Sequence, residues 1–332
     1  MSLDGGRAAT ASPSLTIVVP TFRRPEYLAG ALDSVVSAAE RAPDLTLDVV
    51  VSDNASGDDT ESVATRDRGV QVSYFRNETN VGVSENIVLA VGKASGDFVM
   101  FLSDDDLLTP DALREIALQM GVDPSIGVVT GPVRRFWGDD PEGTNTRIFF
   151  QAPTKGETRL AAGARVLEAI FLRSLSLSGF AIRRNLLDAD GARRHSGSLY
   201  PQVYLAAHAA AEAGAAYLPD PVVMVRHNTD RDWEYRRDYN AGAVLAILTD
   251  VTTGKPWGPE ARKRVVRKRI RAAYGPLLEA RRNSFRSFWQ TAKGLLTVAE
   301  YRRSLVFWSM VLGIGILGDT GIQILRRVIH QS

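Results

Sequence analysis

Phe98-Val99-Met100-Phe101-Leu102-Ser103-Asp104-Asp105-Asp106 sets five consecutive apolar residues almost directly against three consecutive carboxylates. The apolar half reads as a buried strand that emerges at a polar rim. Working upstream, Leu15-Thr16-Ile17-Val18-Val19-Pro20, Leu47 to Ser52 and Val70 to Phe75 are comparable runs, the first rich in β-branched residues. Pro25 opens a helix at its first turn, where a missing N–H costs nothing. Leu28, Leu32, Val35, Val36 and Ala39 follow at helical spacing. Downstream, Thr109 is expected to cap a helix with Pro110 at its first position and Leu113, Ile116, Ala117 and Met120 facing inward. Ile126 to Thr130 is a fifth strand.

Apolar strands alternating with amphipathic helices predict an α/β chain with a mostly parallel sheet covered on both faces. In such sheets ligands bind beyond the carboxyl ends of the strands. The polar clusters at 21–24, 53–58 and 103–106 each follow a strand, so all three are expected along one edge. Residues 131–230 are less regular: a Gly/Pro-rich stretch at 138–156, helices near 161–173 and 201–213, the segment Leu177 to Arg184, and a strand from Val222 to Arg226. Beyond residue 240 the pattern is largely helical.

The three aspartates carry the clearest chemistry. Adjacent carboxylates repel, and desolvation adds to the cost of charging them. A hard cation relieves both penalties. Mg2+ or Mn2+ takes one or two carboxylates and completes its shell with water and substrate phosphate. The alternative is a solvated acidic turn beside a helix cap. Asp53 either accepts a hydrogen bond from a ligand or closes an Asx turn. Arg23 and Arg24 either meet phosphate or are surface cations. Asn80 and Gly82 suit a turn that lets backbone approach a ligand.

Composition bounds the rest. The 332 residues contain no cysteine, which excludes disulfides, thiolate metal sites and a cysteine nucleophile. No Gly-x-Gly-x-x-Gly follows the first strand, which argues against a nicotinamide dinucleotide site. Met1 to Ser14 is small and polar, without an apolar core long enough for a signal peptide; it is expected to be disordered, and the chain to stay in the cytoplasm. Net charge is +2, yet residues 256–332 hold 15 Lys/Arg against 4 Asp/Glu, leaving the remainder acidic. Arg262-Lys263-Arg264-Val265-Val266-Arg267-Lys268-Arg269 is densely basic, and Leu305 to Leu317 is uncharged but shorter than the about 20 residues a spanning helix needs. The segment 262–329 is therefore expected to lie on an anionic membrane surface, peripheral or monotopic on the inner face of the plasma membrane. A helical layer on the catalytic domain, or a contact in a homo-oligomer, is the competing use of the tail. No nucleic-acid motif is present, and nucleic acid is not an expected partner.

The order of these motifs resembles family 2 glycosyltransferases of the GT-A fold, including their abequosyltransferase-like branch. Carrying the resemblance are Thr16-Ile17-Val18-Val19-Pro20-Thr21-Phe22-Arg23-Arg24-Pro25, Val51-Ser52-Asp53-Asn54-Ala55-Ser56, Asn80-Val81-Gly82, Gly96-Asp97 and Phe101-Leu102-Ser103-Asp104-Asp105-Asp106. It implies a Rossmann-like GT-A catalytic domain at 15–235, with a nucleotide-sugar half (15–130) and an acceptor half (131–235), followed by a helical region at 240–332. It further implies a nucleoside-diphosphate sugar donor, a glycan or polyprenyl-linked acceptor, Mn2+ or Mg2+, and inversion at the anomeric carbon. By the same resemblance Pro20, Thr21 and Arg23 line the nucleotide pocket, Asp53 holds the base, and Asn80 and Gly82 lie near the donor. Asp105 matches the metal-binding carboxylate, with Asp104 toward the ribose and sugar; Asp104-x-Asp106 is the competing frame, which brings Asp106 to the metal. Ser103 stands where many relatives have another acid. His227 falls where relatives place a histidine near metal or diphosphate, and Ser178 and Gly179 border the acceptor pocket. The family's base, an Asp in a Glu-Asp pair opening an acceptor-side helix, is absent. Gln202 is nearest that position and cannot act as a base; Asp190, His195 and His208 are the neighbouring candidates. Two other functions fit less well: a degenerate nucleotide-sugar-binding subunit, motivated by the missing pair, and a sugar nucleotidyltransferase, which should show a glycine-rich loop where Thr21 to Pro25 has no glycine.

Overall fold

The computed structural model describes residues 13–123, 125–138, 140–143, 145–150, 158–227 and 241–315. The expectations for residues 1–12, for much of 138–156 and for 316–332 lie outside these. Contacts divide the chain into two compact units at residues 233/234.

The first unit begins β1 (Ser14–Thr21), α1 (Pro25–Ala39), β2 (Thr46–Asp53), α2 (Thr60–Ala64), β3 (Gln71–Arg76), α3 (Val83–Val91) and β4 (Phe98–Phe101). It continues β5 (Leu107–Leu108), α4 (Ala112–Val122), β6 (Val128–Thr130), β7 (Val133–Trp137), β8 (Thr146–Phe149), β9 (Arg159–Leu160) and α5 (Ala164–Arg173). It ends β10 (Phe180–Arg183), α6 (Ala189–Arg194), α7 (Pro201–Ala213), β11 (Ala215–Tyr217) and β12 (Val223–His227). The main sheet runs β3-β2-β1-β4-β10-β6-β11-β9. β3, β2, β1 and β4 are parallel, and β10 runs antiparallel between β4 and β6.

β1 is central and buried on both faces, which is why its sequence shows no alternation. Leu15, Ile17 and Val19 join a core with Leu28, Leu32 and Val35 of α1 and Leu113 and Ile116 of α4. α3, α6 and α7 pack on one another, and α3 lies against β1 and β2. The chain crosses from β1 outward to β2 and β3, then returns to place β4 on β1's other side. That reversal is a topological switch point, where a crevice opens between strand ends. β1 pairs with β4 only from Leu15 to Val18, but with β2 as far as Thr21. Pro20 falls beyond the last β1–β4 rung, where its missing N–H breaks no ladder bond.

Two expectations need correcting. The helix after the acids starts at Ala112, with Asp111 at its N-cap position, not at Pro110. The Thr109 hydroxyl donates to the Pro221 carbonyl at 2.8 Å, and it is the Thr109 backbone carbonyl, not the side chain, that accepts from the Ala112 N–H at 3.0 Å. A second sheet, β5-β12-β7-β8, was also not expected from the residues alone, because its strands are short and carry arginines.

Among the described residues the second unit is helical: Ala241–Thr252, Gly258–Ala272, Tyr274–Asn283, Phe285–Leu296, Ala299–Arg302 and Leu305–Gly315. Its interior includes Leu277, Phe288, Ala292, Tyr301, Phe307, Met310 and Ile314. No described helix is long and apolar enough to cross a membrane.

Gly96 fixes the entry to β4. Thr16 Oγ accepts from the N–H groups of Ser95 and Gly96 at 3.1 and 2.8 Å, and a Cβ on residue 96 would stand 2.7 Å from the Thr16 nitrogen. Gly96→Ala is therefore expected to cost about 1–3 kcal/mol, read as a lowered urea midpoint. An unchanged midpoint would mean that the turn relaxes freely.

Candidate active site

Parallel register lines up three strand ends: Thr21 sits opposite Asp53, and Asp53 opposite Arg76. The aspartate run follows β4 on the other side of the crevice. Each of its members is held differently.

Asp104 is buried and turns toward the β1–α1 loop. It accepts from the Thr21 hydroxyl at 2.9 Å and from Arg24 Nη1 at 3.1 Å. Asp106 is buried and turns the other way, accepting from the Ser178 hydroxyl at 2.6 Å and the Arg226 N–H at 3.0 Å. Asp105, between them, is only half-buried; the Ser103 hydroxyl donates to its Oδ1 at 2.5 Å. Burial raises the Asp104 carboxyl to about 6, with Arg24 opposing and the Asp105 charge assisting. Burial, and then the Asp105 charge, push Asp106 well above the usual carboxylate range.

The surrounding turns are built from polar side chains. Arg23 has a positive φ of 54°; its N–H donates to Ser56 Oγ at 2.8 Å and its Nε to the Ser56 carbonyl at 3.2 Å. Asp53 is almost fully buried. Its Oδ1 accepts from the Ser56 N–H and hydroxyl, and its Oδ2 from the Tyr74 hydroxyl at 2.7 Å. The carboxylate thus caps the turn through the N–H three residues on, and Arg76 Nε stands 4.0 Å from its Oδ2. Burial and Asp53 together raise the Tyr74 hydroxyl above its ordinary value. Asn80 Oδ1 accepts from Asn54 Nδ2 and from the Gly82 N–H, while Asn77 Nδ2 bridges to Asn54 and Asn86. Gly82 holds a φ of 83° at the start of α3, a conformation that favours glycine.

On the acceptor side, Ser178 Oγ also receives the Ser103 N–H at 2.8 Å, tying β4's exit to β10's entry. Gly179 has a φ of 85°, and a Cβ there would stand 2.5 Å from Val223 and from the Arg173 guanidinium. Arg173, fully buried, donates to the carbonyls of Gly131, Ser178 and Gly179, and burial lowers its guanidinium to about 10. Arg173, Tyr74 and the asparagine network were not expected from the sequence. Only the density of Asn and Asp at strand ends could have suggested the last.

His227 ends β12 with its ring edge-on to Trp137 at 5.3 Å. Among the described residues no three His, Asp or Glu side chains converge as a metal cage. The donor set still suits a hard cation, since one or two carboxylates with water and substrate phosphate suffice, and Asp105 is the one of the three acids that is not buried. Gln202 is buried near the start of α7, and its Oε1 has no partner among the described residues. His195 packs against the Tyr204 ring at 5.2 Å, His208 stacks on that ring at 5.7 Å, and the exposed Asp190 pairs with Arg193 at 3.2 Å.

A mixed sheet whose parallel half opens a switch-point crevice beside an acidic turn after β4 is a frame that suits a bound ligand at the strand ends. The chain belongs to Glycosyl transferase family 2, whose pattern matches residues 16–188. It is 32% identical over 102 residues to the abequosyltransferase RfbV of Salmonella typhimurium, a match covering 30% of either chain. It is 26% identical over 241 residues to the O-antigen chain rhamnosyltransferase WbaN of Salmonella anatum, covering 70% of this chain and 73% of that one. The first of these matches thus spans under a third of the relative's own length. Among solved structures, Staphylococcus aureus TarS 1-349 in complex with UDP-GlcNAc superposes with a TM-score of 0.59 at 16% identity, covering 96% of this chain and 91% of that one, and so shares the fold.

The raised carboxyls give a pH test. With chelator present, folded Asp104 keeps its proton up to about pH 6, whereas unfolded it loses it near 3.8. The folded state binds more protons in that window, so its stability falls as pH rises through it. The melting temperature in EDTA should therefore decline between about pH 4 and 6 more steeply in the wild type than in Asp104→Asn. Equal slopes would refute the assignment.

Proposed function

We propose that the chain transfers a sugar from a nucleoside-diphosphate sugar to a hydroxyl of a lipid-linked or cell-surface glycan, with Mn2+ or Mg2+ holding the diphosphate. One observation carries the reading: Asp105 stands half-exposed at the β1/β4 crevice while its two neighbours are buried and hydrogen-bonded through both carboxylate oxygens. Asp105 is the metal carboxylate in this reading, and Asp104 faces ribose and sugar. Asp106 supports the turn from behind. Pro20, Thr21, Arg23 and Asp53 line the nucleotide side, and Asn80 and Gly82 shape the loop beside the donor. A bound divalent ion neutralises charge on the departing diphosphate. The acceptor oxygen attacks the anomeric carbon in line, the bond from that carbon to the diphosphate oxygen breaks with inversion, and the acceptor's proton passes to water or to the departing diphosphate. Gln202 stands nearest the position of the family's base and takes no proton, and Ser178 and Gly179 border the acceptor side.

Titration of Mn2+ into the chain with a fluorescent uridine- or thymidine-diphosphate probe should tighten probe binding, and Asp105→Ala should weaken it about tenfold or more. Metal-independent binding, unaffected by the substitution, would remove the metal from the reaction. Release of sugar from a donor separates the enzyme from a non-catalytic binding subunit. Release of pyrophosphate from a nucleoside triphosphate would instead indicate a nucleotidyltransferase.

The helical unit supports a place on the inner face of the plasma membrane. Leu305, Val306, Trp308 and Leu312 are exposed on one helix beside exposed Arg302 and Arg303. Phe285 and Trp289 are exposed on another, where Arg286, Trp289, Gln290 and Lys293 line an open depression. Apolar side chains edged by cations suit an interface rich in anionic lipid. Full-length protein should cosediment with phosphatidylglycerol vesicles, lose this in high salt, and bind several-fold more weakly as Trp308→Gln/Leu312→Gln. Equal sedimentation with neutral phosphatidylcholine, or none with either, would reject lipid as the partner.

A further inference from the structure

The second sheet has two unlike faces, fixed by register. β7 and β12 run parallel with Arg135 opposite Val225 and Trp137 opposite His227. β8 is antiparallel to β7, with Arg147 directly opposite Arg135 and Phe149 opposite Val133. Alternate residues share a face, so Arg135, Arg147, Trp137 and His227 stand together. The ring contacts agree: the Arg135 guanidinium lies 4.4 Å from the Phe149 centroid, that of Arg147 lies 6.0 Å from Trp137, and His227 meets Trp137 at 5.3 Å. The opposite face carries Phe136 and Arg226, whose guanidinium also covers Tyr27 of α1.

Val223 belongs to the first face and presses on Gly179. That face therefore covers the Ser178–Gly179 turn, and Ser178 in turn binds Asp106. Arg135 and Arg147 are opposite in register, and their guanidiniums turn to Phe149 and Trp137 respectively. Among the described residues neither makes a hydrogen bond or ion pair, and Arg135 Nε is buried without a partner. The described acids of the β7–β8 connection have other partners: Glu142 pairs with Arg134 on the opposite face, and Asp140 accepts from the Glu142 N–H. Asp106 is the carboxylate whose charge reaches Arg135, and Ser178 and Arg226 already hold it.

Guanidinium forks match phosphate oxygens bidentately, and an indole offers an apolar platform to the C–H face of a sugar ring. Resting on the glycosyl-transfer reading above, we infer that this face is the acceptor subsite and takes a phosphorylated glycan, with a sugar ring on Trp137 and its phosphate between Arg135 and Arg147. An anion gives both guanidiniums the partner they lack among the described residues, so an uncharged glycoside of the same sugar binds more weakly.

The test is calorimetric titration of the full chain, in EDTA, with inorganic pyrophosphate, farnesyl diphosphate and dimethyl phosphate. Diphosphates binding better than the diester would assign the anion to a lipid diphosphate, and the reverse to a phosphodiester within the glycan. Arg135→Gln/Arg147→Gln should weaken the preferred anion about tenfold or more, and Arg147→Lys, which keeps charge but loses the fork, should fall between. Lys93→Gln, at an exposed cation after α3, should match the wild type. Binding of uridine diphosphate with Mn2+ is measured on the same samples. If it persists while the anion is bound within twofold by wild type and double variant, or by neither, the subsite is overturned alone. If it is absent from the wild type while the double variant still loses the anion, the donor reading fails and the arginine pair stands as an anion site.

Discussion

The fold is arranged around a cost: three successive carboxylates at the mouth of a desolvated crevice. Adjacent side chains in a tight turn diverge, and here each outer acid is drawn into a separate polar nest. Asp104 goes to Thr21 and Arg24, on the first strand and the loop after it. Asp106 goes to Ser178 and the Arg226 backbone, on the acceptor side. These bonds stabilise the charged forms but do not cancel desolvation, so both carboxyls stay raised. Asp105, between them, is half-buried and accepts from the Ser103 hydroxyl; under the proposed function it is the acid that a cation and a diphosphate would meet.

The same turn joins the two sheets. β5 follows Asp106 immediately and pairs with β12, and β12 returns its Arg226 N–H to Asp106. Ser178 connects the turn to β10 in the main sheet, and Arg173 bolts the Ser178–Gly179 carbonyls from below. Donor-side and acceptor-side elements are therefore registered through one short segment. A buried hydrogen-bonded network of this sort is costly to break in part, because each lost partner leaves a desolvated polar group.

What the sequence made legible follows from these constraints. β1, β2 and β4 lie within a parallel sheet covered on both faces, so they read as unbroken apolar runs, and their polar exits mark the crevice. Asp105 could be set apart from its two neighbours only through the resemblance, because all three acids look alike in the sequence. The second sheet left no such trace. Its strands are two to five residues long, and Arg135 and Arg147 occupy positions that a periodicity argument reserves for apolar side chains. Thr109 looked like a cap because cap chemistry is local, but the carbonyl of Pro221, 112 residues away, claimed its hydroxyl. His227 and Gln202 could be placed near the site only by analogy. Which partners they meet depends on β7 and α7, brought in from elsewhere in the chain.

Gln202 shows how the donor and acceptor halves are constrained differently. The first turns of α7, Pro201 to Ala207, are buried throughout. A carboxylate at 202 would have to be desolvated beside an apolar helix, whereas a carboxamide keeps the acceptor oxygen at lower cost. Proton abstraction by a positioned base is worth about 10²–10⁴ in rate, while stabilising charge on the leaving group usually accelerates the reaction more. Under the proposed reaction the chain keeps the stronger of the two effects, in the acids that hold the diphosphate through a metal, and gives up the weaker. The acceptor half can then diverge, at Gln202 and across the arginine-bearing face of the second sheet, without dismantling the crevice that activates the donor.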